Sequence, residues 1–211
     1  MTHASVTIAI SRQRGSGGSY VGRLVADRLN LRYIDRELLR HAAEYLSTHQ
    51  EAKPASAPVS WLERLGHTIG LGTADAGYTP PSSDVVYEGA LFEIERRLML
   101  EIAAEGNAVL VGRGAAQSLK GRSGVISVFL HAPAAWRAER VRAVYGMDSR
   151  SAEGIVRDSD RDRARFIRAL CGNDWAEVHG YDLAVDVTTL DHEAAADLIV
   201  QAAAVHPEMK G

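Results

Sequence analysis

The apolar positions of this chain alternate between two rhythms. Short unbroken apolar runs are separated by longer stretches whose apolar residues recur at helical spacing. Residues 6–11 (VTIAIS) read as a buried first strand. Residues 17–30 carry Val21, Leu24, Val25 and Leu29 along one helical face. LRYID is a short second strand ending at Asp35, and RELLRHAAEYLS follows as a helix. Residues 85–105 are the longest helical stretch, NAVLVGRG is the third strand and GVISVFLHAP the fourth. AAWRAERVRAVYG is a helix with Arg137, Arg140 and Arg142 along it, and residues 151–170 are helical and densely charged. YDLAVDVTTL is the fifth strand, and DHEAAADLIVQAAAV is a closing amphipathic helix that Asp191 can cap. Continuously apolar strands alternating with helices predict an α/β fold, a parallel sheet covered on both faces.

No internal repeat or strong domain boundary interrupts this order, so residues 1–211 are expected to form a single domain. Residues 48–84 differ in character. THQEAKPASAPVS and GLGTADAGYTPPSS are rich in Pro, Gly, Ala and Ser, and between them WLERLGHTIG can form one helix. Such an insert is either a flap over a site or a passive loop.

Composition narrows the function. A net charge of −3 argues against a general nucleic-acid binder. With aromatics at 6 %, no basic–aromatic interleaving suggests RNA binding either. Cys171 is the only cysteine, so no intrachain disulfide forms, which fits a reducing compartment. No apolar run is long enough to span a bilayer, and no basic segment precedes the first strand, so a cytoplasmic location away from membranes is expected. Lysine is confined to Lys53, Lys120 and Lys210, and arginine carries the remaining positive charge. The histidines lack metal-ligand spacing, Ser16 has no histidine partner in a nucleophile motif, and Cys171 lacks the flanking features of a reactive thiolate. Trp175 reads as a packing residue.

Ligands of open parallel sheets bind beyond the carboxyl ends of the strands. There the first strand runs into RQRGSGG. Glycines let the backbone curl until successive N–H groups form an anion nest, and the next helix adds its positive N-terminal end. Arg12, Arg14, Gly15, Ser16, Gly17, Gly18 and Ser19 are therefore candidate phosphate-binding residues, with Ser19 where a phosphate loop holds Mg²⁺. The full pattern G-x-x-x-x-G-K-[ST] fails twice: Arg12 stands at the first glycine and Gly18 at the lysine. That lysine normally reaches the β- and γ-phosphates. Arg12 and Arg14 flank the loop and can replace its charge, or they form a solvated surface pair.

With this loop the chain resembles the cytidylate kinases, and more closely the broader cytidylate kinase-like group. SRQRGSGGSYVGRLVADRLNLRYIDRELL looks like the form in which Gly-Ser-Gly-Gly replaces the lysine-bearing loop. AVLVGRGAA, SVFLHAPAAWRAERV, RDSDRDRAR, and GNDW followed by YDLAVDVTTL resemble further family segments in the same order, across residues 6–200. The resemblance implies a three-layer P-loop kinase fold built on a parallel five-stranded sheet. It implies a monophosphate-binding insert at residues 48–84 and a lid at residues 149–170. It also implies transfer of the γ-phosphoryl of ATP, with Mg²⁺, to a nucleoside monophosphate or another small phosphorylated acceptor. The partner would then be a small molecule, and the oligomeric state is left open.

Site residues follow from the same resemblance. Arg113 in GRG matches the arginine that binds the acceptor phosphate, but Gly114 stands where cytidylate kinases carry a cytosine-reading Asp. Asp35 is either a substrate contact or the N-cap of the next helix. Arg161, Asp162 and Arg165 match lid positions acting on the transferring group, with Arg163 as the alternative register. The same charges can instead form ordinary helix-surface pairs, Asp158 with Arg161 and Asp162 with Arg165. Two other functions stay open: a nucleotide-binding module with little or no catalysis, and a kinase with a non-nucleotide acceptor.

Overall fold

The computed structural model describes residues 6–48, 85–172 and 174–206. The insert expected at residues 48–84, its central helix included, lies outside the described residues except for Thr48. Five strands, β1 (Thr7–Arg12), β2 (Arg32–Asp35), β3 (Ala108–Val111), β4 (Val125–His131) and β5 (Leu183–Asp186), form one sheet in the order β2-β3-β1-β4-β5. Every pairing is parallel, as the apolar runs predict. The helices are α1 (Gly18–Leu29), α2 (Arg36–Thr48), α3 (Val85–Glu105), the short α4 (Ala115–Ser118), α5 (Ala134–Tyr145), α6 (Ser149–Cys171) and α7 (His192–Val205).

Strand alternation divides the core into two layers. Ile8 and Ile10 of β1 pack with Val21 and Val25 of α1 and with Ala196 and Ile199 of α7. Ala9 points the other way, into a cluster with Leu39 of α2 and Phe92, Met99 and Ile102 of α3. All of these side chains are buried. Helices thus cover both faces, and the sheet's carboxyl edge carries the loops after β1, β2, β3 and β4.

Two boundaries differ from the sequence reading. The longest described helix is α6, with 23 residues against 21 for α3. It begins at Ser149 rather than 151 because the Asp148 carboxylate accepts from the Ser151 N–H at 3.0 Å and closes the helix N-terminus early. The fifth strand stops at Asp186, whose carboxylate accepts from the N–H (2.9 Å) and hydroxyl (2.7 Å) of Thr188 and turns the chain. Asp191 caps α7 as expected, accepting from the Ala194 N–H at 2.8 Å.

Candidate active site

The central strand β1 delivers the glycine loop to the carboxyl edge of the sheet. Gln13 anchors it there: its N–H donates to the Leu130 carbonyl, and its side-chain oxygen accepts from Ala132 N–H, both at 3.0 Å. Gly15 (φ 86°) and Gly17 (φ 77°) take left-handed conformations that a side chain disfavours. Ser16, expected to touch phosphate, is buried. Its hydroxyl (2.8 Å) and N–H (3.2 Å) both donate to the Gln13 carbonyl, so it shapes the turn. The loop then enters α1, whose first turn presents N–H groups that have no intrahelical acceptor.

Two groups brace the loop from behind. Arg137 is buried on α5. Its guanidinium holds the Ala132 carbonyl (2.8 Å), the Arg14 carbonyl (3.2 Å) and both carboxylate oxygens of Asp160 on α6 (3.1 and 2.7 Å). His192, at the start of α7, lies 3.1 Å from the Ser16 carbonyl through Nε2. Burial, and then the neighbouring Arg140, lower its pKa. Arg140 Nη1 lies beside both ring nitrogens, 3.0 Å from Nε2 and 3.3 Å from Nδ1.

In front of the loop is a cavity of about 350 Å³. Its lining includes six arginines, Arg12, Arg14, Arg23, Arg36, Arg140 and Arg163, against two carboxylates, Asp35 and Glu37. Such an excess of positive charge in a chain of net charge −3 marks the cleft for an anion. The cations depress one another. Burial first, then Arg12 and Arg36, push the Arg163 guanidinium down to about 9. Burial and then Arg113 lower Arg36. Arg14 donates to the Tyr145 hydroxyl at 2.7 Å, and Arg23 lies 4.5 Å over the Tyr33 ring. The Tyr33 phenol is raised by burial and then by Asp35, with Arg12 and Ser19 acting against the rise.

A second cavity, of about 70 Å³, lies beside the first. Arg40, Arg113 and Asp162 line it, and Arg12, Arg36 and Arg163 line both. This sharing places three guanidinium groups on the boundary between two anion-sized spaces.

The other expected residues divide between the cleft and the surface. Asp35 lines the first cavity and also caps α2, accepting from the Leu38 N–H at 2.9 Å. Arg113 (φ 50°) reaches the second cavity, with its Nε 2.6 Å from the fully buried Glu95 carboxylate and its guanidinium 4.6 Å over Phe166. Arg161 and Arg165 line neither cavity. Their side chains are 59 % and 71 % exposed and pair with Asp158 and Asp162 on the surface of α6. Arg163 faces inward instead, four residues after buried Ser159 and four before buried Ile167. That helical phase was readable in the sequence. Arg36, directly after the strand-ending Asp35, had a weaker signal, and Arg23, Arg40 and Arg140 had none. Trp175 packs as expected, buried against Phe129, with its Nε1–H donating to Ser11 Oγ at 2.9 Å.

Gly114 has a physical cause. Its φ is 73°, and a Cβ there would lie 3.2 Å from Ile167 Cδ1 and 3.4 Å from Cys171 Sγ. A side chain there would be strained by the left-handed φ and would press on the inner face of α6. Among the described residues, no group of three or more His, Cys, Asp or Glu can hold a metal ion on its own. The first cavity does carry hard oxygen donors, Ser19, Asp35 and Glu37, which suit a Mg²⁺ that keeps waters and phosphate oxygens as its other ligands. No described helix is long and apolar enough to cross a membrane.

Comparison with known proteins agrees with this architecture. None of the curated proteins matches the chain. A crystal structure of an uncharacterized protein from Eubacterium ventriosum superimposes with a TM-score of 0.70 at 20 % identity, covering 95 % of this chain and 99 % of that one. A Thermus thermophilus protein gives 0.54 at 18 % identity (95 % and 98 % covered). Shikimate kinase from Acinetobacter baumannii, in complex with shikimate, gives 0.51 at 17 % identity (95 % and 93 % covered). These likenesses show the fold of the P-loop kinases. The model of the cytidylate kinase-like family matches residues 7–189, from the first residue of β1 to the turn beyond β5, and the chain belongs to that family.

Proposed function

We propose that this protein is an ATP-dependent phosphotransferase that moves the γ-phosphoryl group to a small phosphorylated acceptor of the nucleoside monophosphate kind. One observation carries the reading: a glycine loop at the carboxyl edge of a parallel sheet, facing a cavity of about 350 Å³ lined by six arginines and two carboxylates. The donor phosphates lie over residues 12–19, against the first turn of α1. Mg²⁺ held by the donor phosphates with Ser19, Asp35 or Glu37 would neutralise charge on the β- and γ-phosphates. The acceptor anion occupies the second cavity, near Arg36, Arg40 and Arg113. An acceptor oxygen forms a bond to Pγ as the bond from Pγ to the β-phosphate oxygen breaks, and ADP leaves. Arg12, Arg36 and Arg163 stand where charge on the transferring group has to be balanced.

A second reading keeps the chemistry and changes the acceptor to a non-nucleotide. It is supported by Gly114, whose left-handed φ of 73° and tight surroundings disfavour a side chain where cytidylate kinases carry the cytosine-reading Asp. Release of ADP from ATP and Mg²⁺ against a panel of nucleoside monophosphates and small phosphorylated or hydroxylated acceptors tests both. Turnover with one monophosphate, lost in Arg163→Ala, supports the first reading. Turnover only with another acceptor supports the second. ATP binding with no turnover would leave a nucleotide-binding module in their place.

A further inference from the structure

The two departures of the loop from G-x-x-x-x-G-K-[ST] lie against each other. A Cβ built on Gly18 would come 2.5 Å from both Cβ and Cγ of Arg12. These atoms are at the root of the arginine side chain, which cannot swing away. Gly18 is also not among the glycines with positive φ, and it is the first residue of α1, so its backbone accepts any side chain. Gly15 and Gly17 are glycine for conformational reasons. At position 18 the Arg12 side chain itself excludes a side chain. Further out, a Cβ on Gly112 would overlap the Arg12 guanidinium, which thus lies across the end of β3. From there Arg12 lines both cavities.

We propose that Arg12 carries the phosphate-contacting charge that a lysine at position 18 would supply, and that the Arg12/Gly18 pair is a reciprocal exchange of one cation between the two ends of the loop. A lysine at position 18 would start in the space that Arg12 fills, so the loop holds one or the other. The exchange places a planar, bidentate donor where a point charge would stand. It also anchors that donor on the central strand rather than on the first turn of a helix. The inference rests on the phosphotransferase reading above and assigns one residue within it.

A double-mutant cycle tests it, with ATP, ADP and AMP binding measured by calorimetry and folding followed by thermal melting. The proteins are wild type, R12G, G18K and R12G/G18K. R12G is expected to weaken ATP and ADP by about tenfold or more while AMP changes by less than about threefold, because the lost contact is to the outer phosphates. G18K alone is expected to melt lower and bind ATP poorly. In R12G/G18K the melting temperature and most of the ATP and ADP affinity return. R12G binding ATP within about twofold of wild type, or a double variant no tighter than R12G, would overturn the assignment. Wild-type protein that binds neither ATP nor ADP would instead remove the phosphotransferase reading, and the assignment with it.

Discussion

Arg163 donates through Nη1 to the main-chain carbonyl of Arg12 at 2.9 Å, which ties the inner face of α6 to the start of the glycine loop. Burial first, and then Arg12 and Arg36, hold its guanidinium down to about 9. Three guanidinium groups gathered on the boundary of two cavities repel one another, and a bound anion relieves that repulsion. Arg163→Ala is expected to lower kcat by about 10²–10³, the scale for one preorganised donor on a charged transition state. Arg161→Ala and Arg165→Ala, which remove exposed pairs, are expected to change kcat by less than about threefold. Steady-state ADP release from the three variants checks the ordering. Equal losses would return the lid role to the whole arginine run.

The pair between Arg113 and Glu95 is buried on both sides, with side chains 8 % and 0 % exposed. Removing one partner strands the other charge in the interior. Glu95→Ala is expected to cost about 3–5 kcal/mol of folding stability, as read by urea unfolding. A cost near 1 kcal/mol would mean that Arg113 finds another anion easily.

Gly17 combines a left-handed φ of 77° with the His192 ring, which a Cβ would overlap. Gly17→Ala is expected to destabilise by about 1–3 kcal/mol, the range for a strained non-glycine residue. Adding His192→Ala relieves the overlap and leaves the backbone strain, so the double variant recovers part of the loss in chemical denaturation. Full recovery would show that the φ imposes no cost.

His192 gives the loop a pH dependence. Its folded pKa lies below the ordinary histidine value of 6.5, with burial as the first cause and Arg140 as the second. The unfolded chain therefore takes up a proton more readily than the native one. The stabilisation is fully present above the ordinary value and falls as pH drops through it toward the folded pKa. Ser16, Arg140, Tyr20 and Trp136 face the ring, and Asp191 and Glu193 flank it. Melting temperatures across pH 7.5 to 5.5 are expected to fall more steeply for wild type than for His192→Gln. Parallel curves would remove His192 as the source.

Sequence alone determined the elements and the loop. The apolar runs of β1, β3 and β4 are long enough to be buried on both faces, and that property requires a parallel sheet with helices around it. Asp191 as a cap and Trp175 as a packing residue followed from local chemistry. So did the positions of Gly15 and Gly17 in a turn at the sheet's carboxyl edge, because strand, glycines and helix are contiguous in the chain. The tertiary structure decided which charges meet. Arg12, Arg36 and Arg163 come from β1, α2 and α6, and only the packing of those elements brings them to one boundary. Helical phase separates Arg163 from Arg161 and Arg165 in the sequence, but only the packing of α6 against the glycine loop turns that face toward Arg12 and sends the other two to solvent. Likewise, Arg12 and Gly18 read in sequence as two separate losses from a motif. In space they are one contact, because the side chain at the end of the strand passes over the first residue of the helix.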